Sequence, residues 1–250
     1  MINKLKSLLI GSSFAPKINY PIYFVLKDGF WISLPLVSRI MRYFCYHSLS
    51  FRQRFCKQIV NERIVEVPLI IQNVTKPGAQ VLDVGCDESP LSLHLASLGH
   101  KVTALDLNNY EFEHPNIHFV KGDITKINLP PQSFDYVIFL STIEHVGLGA
   151  YGEHGFGRGD EQALKKAKEF LKPDGRIIIS CPFGRGGETS TQRIYDPASI
   201  SRLFSGFTIE LQRYFKGLGQ QYWLEVSQAD LASVASDKFT QGMGFFVLKV

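Results

Sequence analysis

The segment VLDVGCDESPLSLHLASLGHKVTALDL, residues 81–107, decides the fold of this chain. Its first four residues form a short apolar run, which predicts a buried strand that ends at Gly85. A glycine there allows a tight turn and lets a ligand approach the backbone. Ser89 and Pro90 predict the beginning of a helix, with Ser89 as its N-cap and Pro90 as its first residue.

The predicted helix leads into a second strand. Gly99 predicts the end of the helix, whose apolar face consists of Leu91, Leu95 and Leu98. Residues 102–105 predict the second strand, and Asp106 stands at its end. A strand, a glycine turn, a helix and a second strand followed by an acid are typical of a nucleotide-cofactor site.

The loop after Gly85 distinguishes between two cofactors. A dinucleotide site needs glycines where the pyrophosphate rests on the backbone, whereas this loop reads Cys86, Asp87, Glu88, Ser89. Carboxylates would repel a pyrophosphate, but they suit a cofactor that carries a sulfonium and an ammonium group. The loop therefore favours S-adenosylmethionine over NAD, while Asp106 suits a ribose in either cofactor.

Further apolar runs extend the pattern. FVKGDI (119–124) and FDYVIFLSTIEHV (134–146) each read as a strand that runs into a polar loop, and KPDG (172–175) precedes the strand RIIIS. Together these motifs resemble class I S-adenosylmethionine-dependent methyltransferases. The resemblance covers residues 76–250 and implies an α/β fold. That fold is a Rossmann-like, doubly wound sheet of seven mostly parallel strands with an antiparallel last strand.

The resemblance also implies the residues that bind S-adenosylmethionine. Asp106 matches the acid that binds the ribose, Asp123 the acid at the adenine edge, and Ser141 the loop after the fourth strand. The complete set is Asp83, Gly85, Cys86, Asp87, Asp106, Leu107, Asp123, Ile124 and Ser141. The loop departs from the family's glycine-rich pattern at Asp87 and Ser89.

A narrower resemblance concerns the acceptor. LSTIEHVGLGAYG (140–152) and QRIYDP (192–197) are similar to bacterial methyltransferases encoded with polysaccharide- and sugar-modifying enzymes. This resemblance implies O-methylation of a sugar, a glycan or another small hydroxylated metabolite. Two alternatives stay open: N-methylation of an amino sugar or small amine, and a catalytically silent, cofactor-binding partner subunit.

The candidate catalytic residues follow the fourth strand. Methyl transfer to a hydroxyl needs a proton acceptor, and a histidine suits this task at neutral pH. His145 stands at the sheet edge where open α/β folds bind ligands, so we expect it to be the general base. The alternative is a supporting or helix-capping histidine. We expect Glu144 to orient a substrate hydroxyl or the cofactor ammonium, the alternative being a solvated loop acid.

Two further segments are predicted to contact the substrate. Six of the thirteen residues 147–159 are glycine, which predicts a lid that carries Tyr151 and His154 over the substrate. A simple connection to the next helix is the alternative. Arg193 precedes a predicted helix cap and is expected to reach an anionic substrate group, unless it is an ordinary exposed loop arginine.

Residues 1–75 are predicted to form a separate helical, basic and aromatic segment. Residues 1–60 hold nine Lys and Arg residues against one acid, although the net charge of the whole chain is only +4. The charge and the apolar run 30–44 predict a packed cover over the substrate mouth or, alternatively, a surface that meets anionic lipid. Charged residues and Pro35 interrupt any apolar span of about 20 residues, so neither a transmembrane helix nor a signal peptide is expected.

The composition argues against a disulfide-bonded protein, a metal site and a nucleic-acid-binding protein. The four cysteines contain no C-x-x-C pair, which favours reduced thiols and a cytoplasmic enzyme. Pro115 lies between His114 and His118 and argues against a helix there. The two histidines therefore do not form a helical metal pair, and no metal is expected. Residues 61–250 are net acidic, which argues against a nucleic-acid partner. The sequence does not predict an oligomeric state.

Overall fold

The computed structural model describes residues 24–25, 31–32, 61–87, 89–149, 157–218, 222–235 and 240–250. The chain divides into two units, residues 1–58 and 59–250. In the first unit, two short strands, β1 (Phe24–Val25) and β2 (Trp31–Ile32), pair antiparallel. The rest of residues 1–60, and with it the predicted cover or lipid surface, lies outside the described residues. Within the described parts, every helix is too short or too polar to cross a membrane.

The second unit alternates strands and helices. Its elements are α1 (Arg63–Asn73), β3 (Gln80–Val84), α2 (Leu91–Ser97), β4 (Lys101–Asp106), β5 (Ile117–Lys121), β6 (Phe134–Leu140), α3 (Gly159–Phe170), β7 (Leu171–Pro182), β8 (Gly187–Glu188), β9 (Arg193–Ile194), α4 (Pro197–Leu203), β10 (Thr208–Leu218), β11 (Tyr222–Val226), α5 (Gln228–Ala232) and β12 (Thr240–Lys249). Eight of these strands form one sheet in the order β11-β10-β12-β7-β6-β3-β4-β5, and β8 and β9 form a hairpin.

The sheet confirms the predicted fold class. Strands β3 to β7 run parallel, and β12 enters antiparallel between β7 and β10. The sheet has eight strands rather than the expected seven because β11 pairs antiparallel with β10 at the edge. An ion pair between Arg213 and Glu225, with 2.6 Å between Nη2 and Oε2, joins these two strands.

Both faces of the sheet are covered. Successive strand residues point to opposite faces, so Val81 and Ile138 pack with α1 and α2, whereas Leu82 and Phe139 pack with α3 and α4. The chain therefore divides before α1 and not at the predicted boundary between residues 75 and 76. The physical reason is that α1 buries Leu69 and Ile70 in the core of the sheet.

The first strand–helix–strand unit differs from its prediction in detail. Helix α2 begins at Leu91, one residue later than expected, and Ser89 Oγ accepts a hydrogen bond from the Leu91 amide at 3.2 Å. Leu91 and Leu95 are buried, but Leu98 is 58% exposed. The prediction for Leu98 is wrong because the helix ends at Ser97, and the chain then turns through Gly99 at a φ of +91°.

Candidate active site

A cavity of about 770 Å³ opens beside the carboxyl ends of β3, β4 and β6. Its size is within the range typical of small-molecule sites. The residues that line it include Asn61, Glu62, Arg63, Val67, Gly85, Asp87, Ser89, Asp106, Leu107, Asn108, Asp123, Ile124, Ser141, Thr142, His145 and Gly147. Most of the predicted cofactor residues therefore meet at one site, as the carboxyl edge of a parallel sheet requires.

Gly85 lies where the backbone must turn at the floor of the cavity. Its φ is +75°, which residues with a side chain rarely adopt, and its amide donates to the carbonyl of Leu105 at 2.8 Å. A Cβ at this position would lie 2.5 Å from Oγ1 of Thr142 and closer still to its Cγ2. The turn therefore requires glycine and leaves bare backbone facing a ligand.

Asp106 presents a fixed carboxylate to the cavity. Its Oδ2 accepts from the Asp87 amide at 2.9 Å, and its Oδ1 accepts from the Asn108 amide at 2.8 Å. Each carboxylate oxygen has a second acceptor site, so the group can still bind two vicinal hydroxyls. Asn108, which we did not predict from the sequence, also donates to Oδ2 of Asp87 at 3.1 Å. These groups fit the ribose of the expected cofactor.

The structure does not place Asp83 or Cys86 on the cavity wall. Both side chains are buried, and Asp83 Oδ2 accepts from Ser92 Oγ of α2 at 2.6 Å. Burial raises the pKa of Asp83 to about 6 and also raises the pKa of the Cys86 thiol. Direct side-chain contact with the cofactor is therefore not supported for these two residues. For Asp83 the reason is that its strand position faces α2 instead of the cavity.

Asp123 and Ile124 also line the cavity, as does Leu107. Oδ1 of Asp123 accepts from the amide and the hydroxyl of Thr125 at 2.8 and 2.7 Å, and Lys126 Nζ lies 3.2 Å from Oδ2. Burial raises the pKa of Asp123, but the bonds from Thr125 and Lys126 outweigh it, so the pKa lies below its ordinary value. The Asp123 carboxylate is therefore ionised, and its partners Thr125 and Lys126 belong to the turn that directly follows it.

Ser141 joins the cavity to α1. It has a left-handed backbone with a φ of +45°, and its amide donates to the carbonyl of Ser180 at 3.1 Å. Its hydroxyl donates to Oε1 of Glu66 at 2.6 Å, while Oε2 of Glu66 pairs with Arg63 Nη1 at 2.6 Å. Sequence reasoning missed Arg63 and Glu66. The available signal was an acid within an otherwise apolar stretch of helix, VEVPLII (65–71).

His145 lies on the cavity wall with 23% of its side chain exposed. Its Nδ1 is 2.5 Å from the carbonyl oxygen of Thr191. Because a carbonyl oxygen only accepts hydrogen bonds, Nδ1 carries the hydrogen and Nε2 of the neutral ring carries the lone pair. The geometry therefore presents Nε2 as the basic atom.

Glu144 has a different environment from its neighbour. It is 1% exposed and does not line the cavity, so both the solvated acid and a direct contact with substrate are unsupported. The cause is that its side chain turns inward, where Oε1 lies 3.8 Å from Nε2 of His145. Burial, aided by the nearby negative charge of Glu66, raises the pKa of Glu144 well above its ordinary value.

Arg193 does not reach this cavity but lines a separate one of about 510 Å³. It is buried, donates to the carbonyl oxygens of Val146 (2.8 Å) and Gly157, and lies 3.3 Å from a carboxylate oxygen of Glu188. The expected contact with an anionic substrate is therefore not supported, because acidic and carbonyl groups of the protein already surround its charge. Arg193 instead ties together both ends of the glycine-rich loop.

Much of the glycine-rich segment predicted to form a lid lies outside the described residues, and so do Tyr151 and His154. At the end of this loop, a Cβ on Gly159 would collide with the backbone oxygen of Val146, so α3 begins in close contact with the residues after His145. In the described parts of the chain, no three or more His, Cys, Asp or Glu side chains are grouped to hold a metal ion.

Comparisons with known proteins identify the kind of domain that the chain contains. Residues 82–179 match the family model of a methyltransferase domain. The ubiquinone biosynthesis O-methyltransferase of Xanthomonas campestris pv. campestris is 26% identical over 182 residues, which cover 68% of this chain and 71% of that protein.

Two solved structures share the fold. One is the Burkholderia thailandensis 1,6-didemethyltoxoflavin-N1-methyltransferase, with 17% identity, a TM-score of 0.51, and coverage of 88% of this chain and 92% of that one. The other is a Methanosarcina mazei S-adenosylmethionine-dependent methyltransferase, with 17% identity, a TM-score of 0.51, and coverage of 72% and 97%. With its matching domain and its sheet order, the chain is an S-adenosylmethionine-dependent methyltransferase with the class I fold.

Proposed function

We propose that this methyltransferase methylates a hydroxyl group of a small molecule and that His145 is its general base. The observation that carries the proposal is the contact between His145 Nδ1 and the Thr191 carbonyl, which leaves the basic Nε2 on a ring at the cavity wall. The O-methyltransferase name of the Xanthomonas campestris relative supports a hydroxyl acceptor. The N-methyltransferase of Burkholderia thailandensis shares only the fold at 17% identity and does not favour an amine.

Different cavity residues are assigned to different groups of the cofactor. We assign the ribose hydroxyls to Asp106, whose carboxylate is already oriented by two backbone amides. Among the described residues that line the cavity, Arg63 is the one Lys or Arg, so it suits the carboxylate of the methionine part. Asp87 supplies a negative charge for the ammonium group. When bound, S-adenosylmethionine supplies an electrophilic methyl group on a sulfonium.

His145 would act on the proton of the acceptor. Nε2 would take the proton of the acceptor hydroxyl, and the ring would then become positively charged. The Thr191 carbonyl keeps its hydrogen bond from Nδ1 and stabilises that charge. The surrounding protein aligns the hydroxyl and excludes water, which is most of what methyl transfer requires.

A more specific question is which class of small molecule carries the hydroxyl group. A sugar or glycan acceptor rests on the resemblance of residues 140–152 and 192–197 alone. The printed name of the Xanthomonas campestris relative refers to ubiquinone biosynthesis, which is a statement about that protein. Sugars and phenols therefore enter the test as separate groups of acceptors, with small amines as the third.

The test incubates the full chain with methyl-labelled S-adenosylmethionine and these three groups, and mass spectrometry identifies the methylated products. We expect a labelled ether. On the acceptor found, His145→Ala should lower kcat by roughly 10² to 10⁴ while S-adenosylhomocysteine binds as before. Methylated amines as the only products, or wild-type turnover of the variant across pH 6 to 9, would contradict the proposal.

A further inference from the structure

Glu66 is an acid in an unusual place. It lies in the first turn of α1 and its side chain is wholly buried. A buried carboxylate is costly unless hydrogen bonds and opposite charge compensate for its lost hydration. Both of its oxygens have such partners, and they belong to different parts of the chain.

The first partner is Arg63, one turn earlier on α1, with Nη1 2.6 Å from Oε2. The second is Ser141, 75 residues away, whose hydroxyl donates to Oε1 at 2.6 Å. Arg63 and Ser141 both line the cofactor cavity, whereas Glu66 does not. A single buried carboxylate therefore links a helix and a strand end across the cavity wall.

Ser141 needs such support. A non-glycine residue with a φ of +45° stores backbone strain, which persists only when the surroundings hold it in place. Ser180 holds the Ser141 amide from the side of β7, through its carbonyl and its hydroxyl at 3.1 Å each. Glu66 holds the hydroxyl from the opposite element, α1, so the residue is fixed from two directions.

We propose that Glu66 is a positioning residue for the cofactor, which holds Arg63 and Ser141 in the places where they meet S-adenosylmethionine. It lies outside residues 82–179, which match the methyltransferase family. The proposal rests on the assignment of the cavity as the cofactor site. It predicts that Glu66 acts on cofactor affinity through Ser141 and Arg63, without touching the cofactor.

The test measures S-adenosylhomocysteine binding by calorimetry on the full chain. Glu66→Ala should weaken binding about 10- to 100-fold, because two charge-assisted hydrogen bonds are lost. Glu66→Gln keeps an oxygen that accepts from Ser141 but loses the charge facing Arg63, so its affinity should be intermediate. The matched control is Glu169→Gln on α3, which breaks an exposed i,i+3 pair with Lys166 and should leave the affinity unchanged.

A double-mutant cycle separates positioning from general stability. Ser141→Ala should weaken binding, and the Glu66→Ala, Ser141→Ala double variant should lose less affinity than the sum of its single variants, because both single variants remove the same hydrogen bond. Additive losses, or wild-type affinity in both single variants, would overturn the proposal. If Glu66→Ala does not fold, the affinities of Glu66→Gln and Ser141→Ala for S-adenosylhomocysteine still test the proposal. A wild-type protein that does not bind S-adenosylhomocysteine would instead overturn the cavity assignment itself.

Discussion

Replacing Gly85 with alanine should damage both the fold and the cofactor site. The left-handed backbone at this position, with a φ of +75°, costs an alanine about 1 to 2 kcal/mol. The new Cβ would lie 2.5 Å from Oγ1 of Thr142 and must displace that side chain, which costs a further 1 to 3 kcal/mol or so. The sum predicts a loss of roughly 2 to 5 kcal/mol in the free energy of unfolding.

The protein provides a matched control for the strain alone. Gly78 also has a left-handed backbone, at +61°, but a Cβ there would have no atom within 4 Å. Gly78→Ala should therefore lose only about 1 to 2 kcal/mol. Urea unfolding measures both losses, and calorimetry with S-adenosylhomocysteine should show weaker binding for Gly85→Ala alone.

A second substitution tests the overlap directly. Thr142→Ala removes the two atoms nearest to the new Cβ and leaves the Thr142 Cβ position at 3.0 Å. Adding it to Gly85→Ala should restore part of the stability, since the overlap is relieved while the backbone strain stays. Equal losses for Gly85→Ala and Gly78→Ala, without any gain from Thr142→Ala, would refute the reasoning.

Two other predictions concern Asp106, which lines the cavity, and Asp83, which is buried nearby. Asp106→Ala should weaken S-adenosylhomocysteine binding by about 2 to 4 kcal/mol, because the ribose hydroxyls lose an ionised acceptor; unchanged affinity in calorimetry would remove Asp106 from the site. The pKa of Asp83 is raised from 3.8 to about 6 by burial, so its protonated form favours folding below pH 4 and this contribution is lost as the pH rises through 6. Relative to Asp83→Asn, the wild type should therefore lose about 2 kcal/mol of stability between pH 4 and pH 7, and parallel urea-unfolding profiles would contradict this.

The central part of the fold was predictable because short, apolar strands and glycine turns carry local signals. Gly85 and Gly99 both adopt the positive φ that their positions suggested, and Asp196 and Pro197 begin α4 as a cap and first helical residue. The eighth strand was not predictable in this way. Tyr222–Val226 is a five-residue edge strand with two strongly exposed apolar side chains, so it lacks the burial pattern that marks the inner strands.

The candidate site was predictable where a side chain follows directly from its strand. Asp106 and His145 reach the cavity because Asp106 is the last residue of β4 and His145 follows the carboxyl end of β6. The surroundings of Arg193 and Glu144 were not predictable because they come from distant segments: Arg193 contacts Val146 and Gly157. The same is true of Glu66, whose partner Ser141 is 75 residues away. Such contacts depend on tertiary packing and leave no local pattern.

The position of β12 has a consequence for how the chain acquires its fold. β12 (Thr240–Lys249) lies between β7 and β10, so these two strands are joined in the sheet only through hydrogen bonds to β12. During synthesis β7 and β10 emerge before it, each with an open edge that can pair with another chain. The pairing of β7 with β12 closes a loop of many residues, and such non-local contacts form slowly. The nascent domain therefore passes through a stage with two unpaired inner edges, when it is most exposed to aggregation.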